Sequence, residues 1–255
     1  MTAHEEPQSG KAQAKNAFRE NVKTFIWAAI IAVLIRSLLF QPFNIPSSSM
    51  KPTLLIGDFL FVTKFSYGYS RHSFPFSPNL FSGRMMADGP ERGDVVVFKL
   101  PADNRTDFIK RVIGLPGDSV QMRDGALWIN GAPVDREEVA AFVDYVPGLG
   151  DREIRQYRET LPNGASYFTL DQIEDGPADN TGIFTVPPGH YFMMGDNRDN
   201  SSDSRISSYV GYVPHENLVG PARILFFSFD DRYSMLEFWR WPVAIRYSRL
   251  LASVN

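Results

Sequence analysis

Val120-Gln-Met-Arg-Asp-Gly-Ala-Leu-Trp-Ile-Asn-Gly131 reads as two short strands, 120–123 and 126–129, punctuated by Asp124-Gly125 and Asn130-Gly131. Asp-Gly and Asn-Gly accept the left-handed backbone that a tight hairpin needs, so the stretch reads as a β-meander. The same texture extends on both sides of it. Upstream, Phe59-Leu-Phe-Val-Thr-Lys64 follows Gly57-Asp58, and Asp94-Val-Val-Val-Phe98 follows Gly93. Phe108-Ile-Lys-Arg-Val-Ile113 runs into Gly114-Leu-Pro-Gly117. Downstream, Tyr191-Phe-Met-Met194 and Arg223-Ile-Leu-Phe-Phe-Ser228 read as buried strands. Residues 134–182 are more acidic and richer in turns, as expected of an inserted subdomain. No repeat and no long amphipathic helix breaks this pattern, so everything after residue 43 is expected to be mostly β.

The N-terminal part differs. Residues 1–23 are polar without an apolar period and read as a flexible tail. The run 25–40 (FIWAAIIAVLIRSLLF) has fourteen apolar residues of sixteen, interrupted by Arg36 and Ser37. With its edges, 24–43, it would be about 30 Å long as a helix, enough to span a bilayer. Arg36 lies toward its C-terminal end, where a long side chain can snorkel to the headgroups. A cleaved signal peptide would need a small-x-small site soon after the run, and Arg36-Ser-Leu-Leu-Phe-Gln-Pro-Phe-Asn-Ile-Pro46 offers none. A buried core helix would show a polar face. The run is therefore read as one uncleaved anchor. Lys11, Lys15, Arg19 and Lys23 precede it, while only Lys51 follows closely, which places the N-terminus in the cytoplasm and the bulk outside.

The 255 residues carry a net charge of −3, so there is no global basic field for nucleic acid. The absence of cysteine excludes disulfides, thiol catalysis and Cys-ligated zinc. Lysine occurs only seven times, at 11, 15, 23, 51, 64, 99 and 110, among 26 basic residues. A catalytic lysine therefore has few candidates.

Pro46-Ser-Ser-Ser-Met-Lys-Pro52 follows the anchor. Its prolines restrict the backbone on either side of three hydroxyls. The segment is either a serine-rich loop leaving the membrane or the seat of a nucleophile, and a serine nucleophile needs a base. The histidines, His4, His72, His190 and His215, offer little: His4 lies in the tail across the membrane, and of the other three only His215 has an acidic neighbour, Glu216. Lysine ordinarily titrates near 10.4 and serves as a base only when apolar surroundings lower that value. Lys110 fits best, flanked by Phe108, Ile109, Val112 and Ile113; the competing reading is a solvent-facing residue on an alternating strand. Arg111 points to the opposite face, so one of the two must take the less exposed side. Lys64 and Lys99 end strands and are expected to face water. Gly195-Asp-Asn-Arg-Asp-Asn-Ser-Ser-Asp-Ser-Arg205 is the densest polar run. Its Asp199-x-Ser201-x-Asp203 pattern lacks the glycine and glutamate of a calcium loop, so no metal is assigned. It reads either as a plain surface turn or as a network in which Asp203 and Arg205 brace a loop and Ser201 orients another side chain.

Taken in order, these segments resemble the bacterial type I signal peptidases (leader peptidases), membrane-anchored Ser-Lys proteases. The matches begin with Arg36-Ser-x-x-x-x-Pro-Phe43 and Ile45-Pro-Ser-x-Ser-Met50-x-Pro-Thr-Leu-x-x-Gly-Asp58. Arg92-Gly-Asp-Val-Val-Val-Phe98 and Phe108-Ile-Lys-Arg-Val-x-Gly-Leu-Pro-Gly-Asp118 follow. The last are Gly195-Asp-Asn-Arg-Asp-Asn-Ser-x-Asp-Ser-Arg205 and Trp241-Pro-x-x-x-Arg-x-Ser-Arg249. Each motif alone is weak to moderate; together they are specific over about 36–249.

The resemblance implies an antiparallel β catalytic core, 44–117 and 189–255, with a smaller β-rich insertion at 118–188, behind a cytoplasmic tail (1–23) and an anchor (24–43). It implies Ser49 as nucleophile, Lys110 as general base and Ser47 as a hydroxyl helping the Ser49 N–H form the oxyanion hole. Ser201 would orient the lysine, with Asp203 and Arg205 as a supporting pair. Ile45, Pro46, Met50, Leu54, Phe108 and Ile109 would line shallow pockets for small substrate side chains. The substrate, the signal peptide of an exported preprotein, would add as an extended strand between 43–47 and 106–110. No cofactor or metal is implied. The location would be the outer face of the bacterial inner membrane, against the lipid bilayer and near the export translocon. Ser48 stands where many members have Gly, Lys51 where Met is common, and Phe108 where Tyr is frequent; one anchor is seen rather than two. Two other readings stand beside this one: a Ser-Lys processing protease for a single secretion or conjugation partner, and an inactive anchored domain that binds exported chains.

Overall fold

The computed structural model describes residues 8–79, 81–86, 88–146 and 150–254. Its first element is one helix, α1 (Gln8–Leu38). Residues 1–7 of the expected tail lie outside the described residues, but the rest of that tail is helical. Glutamine, lysine, alanine, arginine and glutamate are strong helix formers, so no apolar period is needed for the helix to extend through them. The stretch Lys15–Leu38 is long and apolar enough to cross a membrane, and only 6% of its most apolar window is buried, unlike a core helix. The helix stops earlier than the expected anchor boundary at 43. Leu39 makes the last helical bond, to Ile35, and Pro42, with no N–H to give, lies just beyond. Residues Phe40–Asn44 instead form an edge strand, β1, a place where proline is tolerated.

The strands that follow are β2 (Asp58–Thr63), β3 (Val95–Lys99), β4 (Asp107–Gly114), β5 (Ser119–Arg123) and β6 (Ala126–Ile129). After them come β7 (Asp135–Val146), β8 (Gly150–Thr160), β9 (Ser166–Asp171), β10 (His190–Met194), β11 (Val213–Pro214) and β12 (Leu218–Ser228). A seven-stranded antiparallel sheet has the order β1-β2-β12-β3-β4-β10-β11. The 120–131 meander forms as read: Arg123 pairs with Ala126 across Asp124 and Gly125, whose φ angles are 48° and 71°. These are the positive values a two-residue hairpin requires.

Residues 118–188 lie between β4 and β10 and contribute two small sheets, one holding the meander and one the order β7-β8-β9. They do not pack on their own. Val120, Met122 and Leu127 share one apolar cluster with Ile113 and Phe192 of the large sheet. A second cluster joins Ile45, Met50 and Leu54 to Leu60, Val62 and Val97. Each fully buried side chain of this size contributes about 1.5–3 kcal/mol. Both faces of β4 are covered as a result. Lys110 and Arg111 are 3% and 1% exposed, so both faces are shielded and Lys110 is not the solvent-facing residue of the competing reading.

Candidate active site

The turn after Pro46 places Ser49 in the wall of a cleft of about 520 Å³. One wall is 43–49 and the other is 107–110 of β4. Strand β10 pairs with β4 only from Arg111 onward, so 107–110 has an unpaired edge on that side. Strand β1 pairs only with β2, so its outer edge is open too. Two free strand edges therefore border the cleft, an arrangement that suits an extended peptide hydrogen-bonding by its main chain.

Lys110 Nζ lies 2.6 Å from Ser49 Oγ and 2.9 Å from the Ile109 carbonyl. Burial lowers the Lys110 pKa to about 8; Asp203 and Asp196 pull it back up, and Arg205 pushes it further down. A lysine in that range is neutral often enough to accept a proton. Ser47 Oγ is 3.4 Å from Ser49 Oγ, on the solvent side. None of the described histidines bonds to Ser49: His72 meets Ser77, His190 the Pro188 carbonyl and His215 the Tyr191 hydroxyl. His4 lies outside the described residues.

The segment 195–205 holds Ser49 from below. Asn197 donates its backbone N–H to the Ser49 carbonyl at 3.1 Å and its side-chain amide to the Ser48 carbonyl at 3.1 Å. Asn200 donates to Ser48 Oγ at 2.7 Å, so the hydroxyl that departs from the family pattern has a partner. Gly195 is where the close approach occurs. A Cβ there would lie 2.2 Å from Ser201 Oγ and 2.5 Å from the Ser49 carbonyl oxygen, so only glycine fits.

Asp203 and Arg205 form the expected pair at 2.9 Å, and Asp203 also accepts the Gly195 N–H at 3.0 Å. Burial alone would raise the Asp203 carboxyl; the Arg205 guanidinium and the hydrogen bonds to Asp203 hold it below the usual range. Ser201 packs on Gly195 and faces Asp203, and among the described residues no hydrogen bond joins its hydroxyl to Lys110.

Ile45, Pro46, Phe108 and Ile109 line the cleft, whereas Met50 and Leu54 do not. Leu54 donates its N–H to the Met50 carbonyl in a single helical turn, which carries both side chains into the core beneath Ile45, where each is 0% exposed. Lys64 also departs from expectation. It is buried, donates to the Ser73 carbonyl at 2.6 Å, and burial lowers its pKa to about 8. Two lysines are thus depressed alike, but only Lys110 faces a serine hydroxyl.

Reading the sequence missed one pair behind this wall. Arg111 binds Asp196 through two hydrogen bonds, 2.9 and 2.7 Å, and stacks on the Tyr167 ring at 4.1 Å. Thr53 donates to Asp196 at 2.6 Å. The adjacency of Asp196 to Gly195 and of Arg111 to Lys110 was the available signal.

The family model described as signal peptidase, peptidase S26, matches residues 18–227. Signal peptidase I of Rickettsia typhi (strain ATCC VR-144 / Wilmington) is 40% identical over 254 residues, covering 92% of this chain and 94% of that one. Signal peptidase I of Rickettsia canadensis (strain McKiel) is 43% identical over 227 residues, covering 86% and 83%. The crystal structure of a signal peptidase I from Enterococcus faecalis V583 overlaps 52% of this chain and 97% of its own, at 30% identity and a TM-score of 0.31. With most of its length matched by that model and by relatives at about 40% identity, the chain belongs to the signal peptidase family, peptidase S26, a family of protein-cleaving hydrolases.

Proposed function

We propose that this chain is a membrane-anchored serine endopeptidase that removes signal peptides from exported preproteins with a Ser49–Lys110 dyad. The observation that carries the reading is the 2.6 Å approach of a buried amine to a hydroxyl in the wall of a strand-edged cleft. The preprotein lies extended between 43–47 and 106–110, with small side chains entering shallow pockets beside Ile45, Pro46, Phe108 and Ile109. Neutral Lys110 takes the Ser49 proton as Oγ attacks the scissile carbonyl. The Ser49 N–H and the Ser47 hydroxyl stabilise the oxyanion. Lys110 returns the proton to the leaving amine, leaving an ester on Ser49. A water then attacks that ester, giving its proton to Lys110, which passes it to Ser49 Oγ as the ester C–O bond breaks and the signal peptide leaves with a free carboxylate. Asp203 and Arg205 keep the 195–205 segment, and so Ser49, in place.

Lys15–Leu38, the one helix among the described residues long and apolar enough to cross a membrane, serves as the anchor. Lys15, Arg19 and Lys23 keep its N-terminal end in the cytoplasm, which puts the catalytic part on the outer face of the inner membrane. There it meets signal peptides as they leave the export machinery.

The test is cleavage of several unrelated preproteins by the wild type and by the Ser49→Ala and Lys110→Arg variants, with labelling by an acylating active-site probe. Both variants are expected to lose cleavage, and only proteins retaining Ser49 to be labelled. Intact cleavage by Lys110→Arg would overturn the dyad, because arginine cannot shed its proton. Cleavage of one preprotein alone would favour a dedicated processing protease, and no cleavage or labelling would favour a binding domain.

A further inference from the structure

A second cavity, of about 550 Å³, opens at the C-terminal end of α1 and shares only Asp107 with the lining of the cleft that holds Ser49. Five cations line it: Arg36 from the last turn of the helix, Lys64, Arg71, Lys99 and Arg105. Against them stand only Asp103 and Asp107. Asp107 is paired with Lys99 at 2.8 Å, and Asp103 is occupied by Thr106 and by the N–H groups of Arg105 and Thr106. Among the described residues Arg36, Arg71 and Arg105 have no carboxylate partner.

The excess of positive charge is felt by its neighbours. Lys64 is lowered first by burial and then by Arg36. His72, buried beside it, is lowered to about 4, first by burial and then by Arg71 and Lys99. The ring is neutral, and its Nε2 accepts a hydrogen bond from Arg71 at 3.2 Å. A cavity with three uncompensated guanidinium groups is built for an anion, and arginine suits phosphate because two N–H groups can meet two oxygens. The rim is apolar: Phe76 is fully exposed there, next to Phe74 and Pro75. A soluble anion has no use for such a rim, whereas acyl chains do.

We propose that this cavity binds the phosphodiester headgroup of an anionic membrane lipid, with Arg36, Arg71 and Arg105 facing the phosphate and Phe76 entering the lipid surface. The proposal rests on the anchor reading, because Arg36 meets headgroups only if α1 crosses the bilayer. The bound lipid would fix the orientation of the β core relative to the membrane.

The test uses the full chain in neutral detergent. Dihexanoyl phosphatidylglycerol, dihexanoyl phosphatidylcholine or inorganic phosphate is titrated in, and binding is read by native mass spectrometry. Phosphatidylglycerol is expected to bind at least about tenfold more tightly than either of the others. The double variant R71Q/R105Q is expected to weaken it about tenfold or more, while R71K/R105K retains most of it. Equal binding of phosphatidylcholine, or binding unchanged in R71Q/R105Q, would overturn the proposal. Inorganic phosphate binding as tightly as the lipid would replace the headgroup with a free ion and overturn it equally. Thermal unfolding checks that the double variant is folded; if it is not, R36Q alone serves, with the same expected loss. Flotation with phosphatidylcholine vesicles tests the anchor separately, so its failure is distinguishable from failure of the cavity.

Discussion

Arg111 and Asp196 face each other in a two-bond ion pair with side chains 2% and 1% exposed, one residue along β4 from Lys110 and one residue after Gly195. The pair ties the strand that carries the amine to the segment whose Asn197 holds the Ser49 carbonyl. The distance between Ser49 and Lys110 therefore depends on a contact in which neither takes part.

Removing one partner leaves the other as an uncompensated buried charge. Asp196→Ala is expected to cost about 3–5 kcal/mol of stability in urea unfolding, because Arg111 cannot be solvated where it lies. Replacing both with apolar residues, R111M/D196L, is expected to cost less than Asp196→Ala alone. Equal stability of wild type and Asp196→Ala would show that the site admits water.

The Lys110 pKa of about 8 sets a pH limb, since the neutral amine is the proposed active form. Below that value kcat/KM for a preprotein peptide is expected to fall about tenfold per pH unit, and above it to level off. Stability follows the same sign. The folded lysine titrates near 8 and the unfolded one near 10.5, so the unfolded chain binds more protons between them. This group's contribution to stability therefore rises with pH across that window, and Lys110→Met should lack it. A flat pH–rate profile from 6 to 9 would contradict the assignment.

Gly195 separates geometry from chemistry. In Gly195→Ala the new Cβ meets Ser201 Oγ and the Ser49 carbonyl oxygen, and the backbone carrying Ser49 must move. A shift near 1 Å is expected to lower kcat about a hundredfold with every catalytic group still present. Acyl-probe labelling rate, measured beside the unfolding temperature, distinguishes this from simple unfolding. Unchanged labelling would mean that Ser201 yields instead.

Lys51, the residue that departs from the family pattern beside the nucleophile loop, reaches Asp144 at 2.6 Å. The bond clips the loop that carries Ser49 to the β7–β8 hairpin. Both side chains are partly shielded, 10% and 18% exposed, so a double-mutant cycle of Lys51→Met and Asp144→Asn is expected to give a coupling of about 1 kcal/mol. A coupling of zero would make the contact incidental.

Strands β2, β3, β4, β10 and the second half of β12 were legible as short apolar runs, as at 59–63 and 95–98, whereas β1 was read as the end of the anchor and β11, two residues long, was not read. The β7–β8 hairpin was not. Its strands are charged and mostly exposed, as in Asp135-Arg-Glu-Glu138 and Arg152-Glu-Ile-Arg155, so no alternation marks them. Lys64 was misjudged for a related reason: the end of a strand says nothing about the loop folded over it, here 71–77.

By itself the sequence determined which residue types were available for the chemistry and the local shape of the chain around them. Those are the serines pinned between prolines, the lysine in an apolar strand, the hairpin dipeptides and the long apolar helix. All depend on interactions within a few residues. The tertiary structure decided what those residues meet. Ser49 and Lys110 are 61 positions apart, Arg111 and Asp196 85, and Lys51 and Asp144 93. It also decided that Ser201 turns to Gly195 and that Met50 and Leu54 enter the core. Desolvation, which makes a lysine a base, is a property of the surroundings, and those are assembled only when distant strands close over the site.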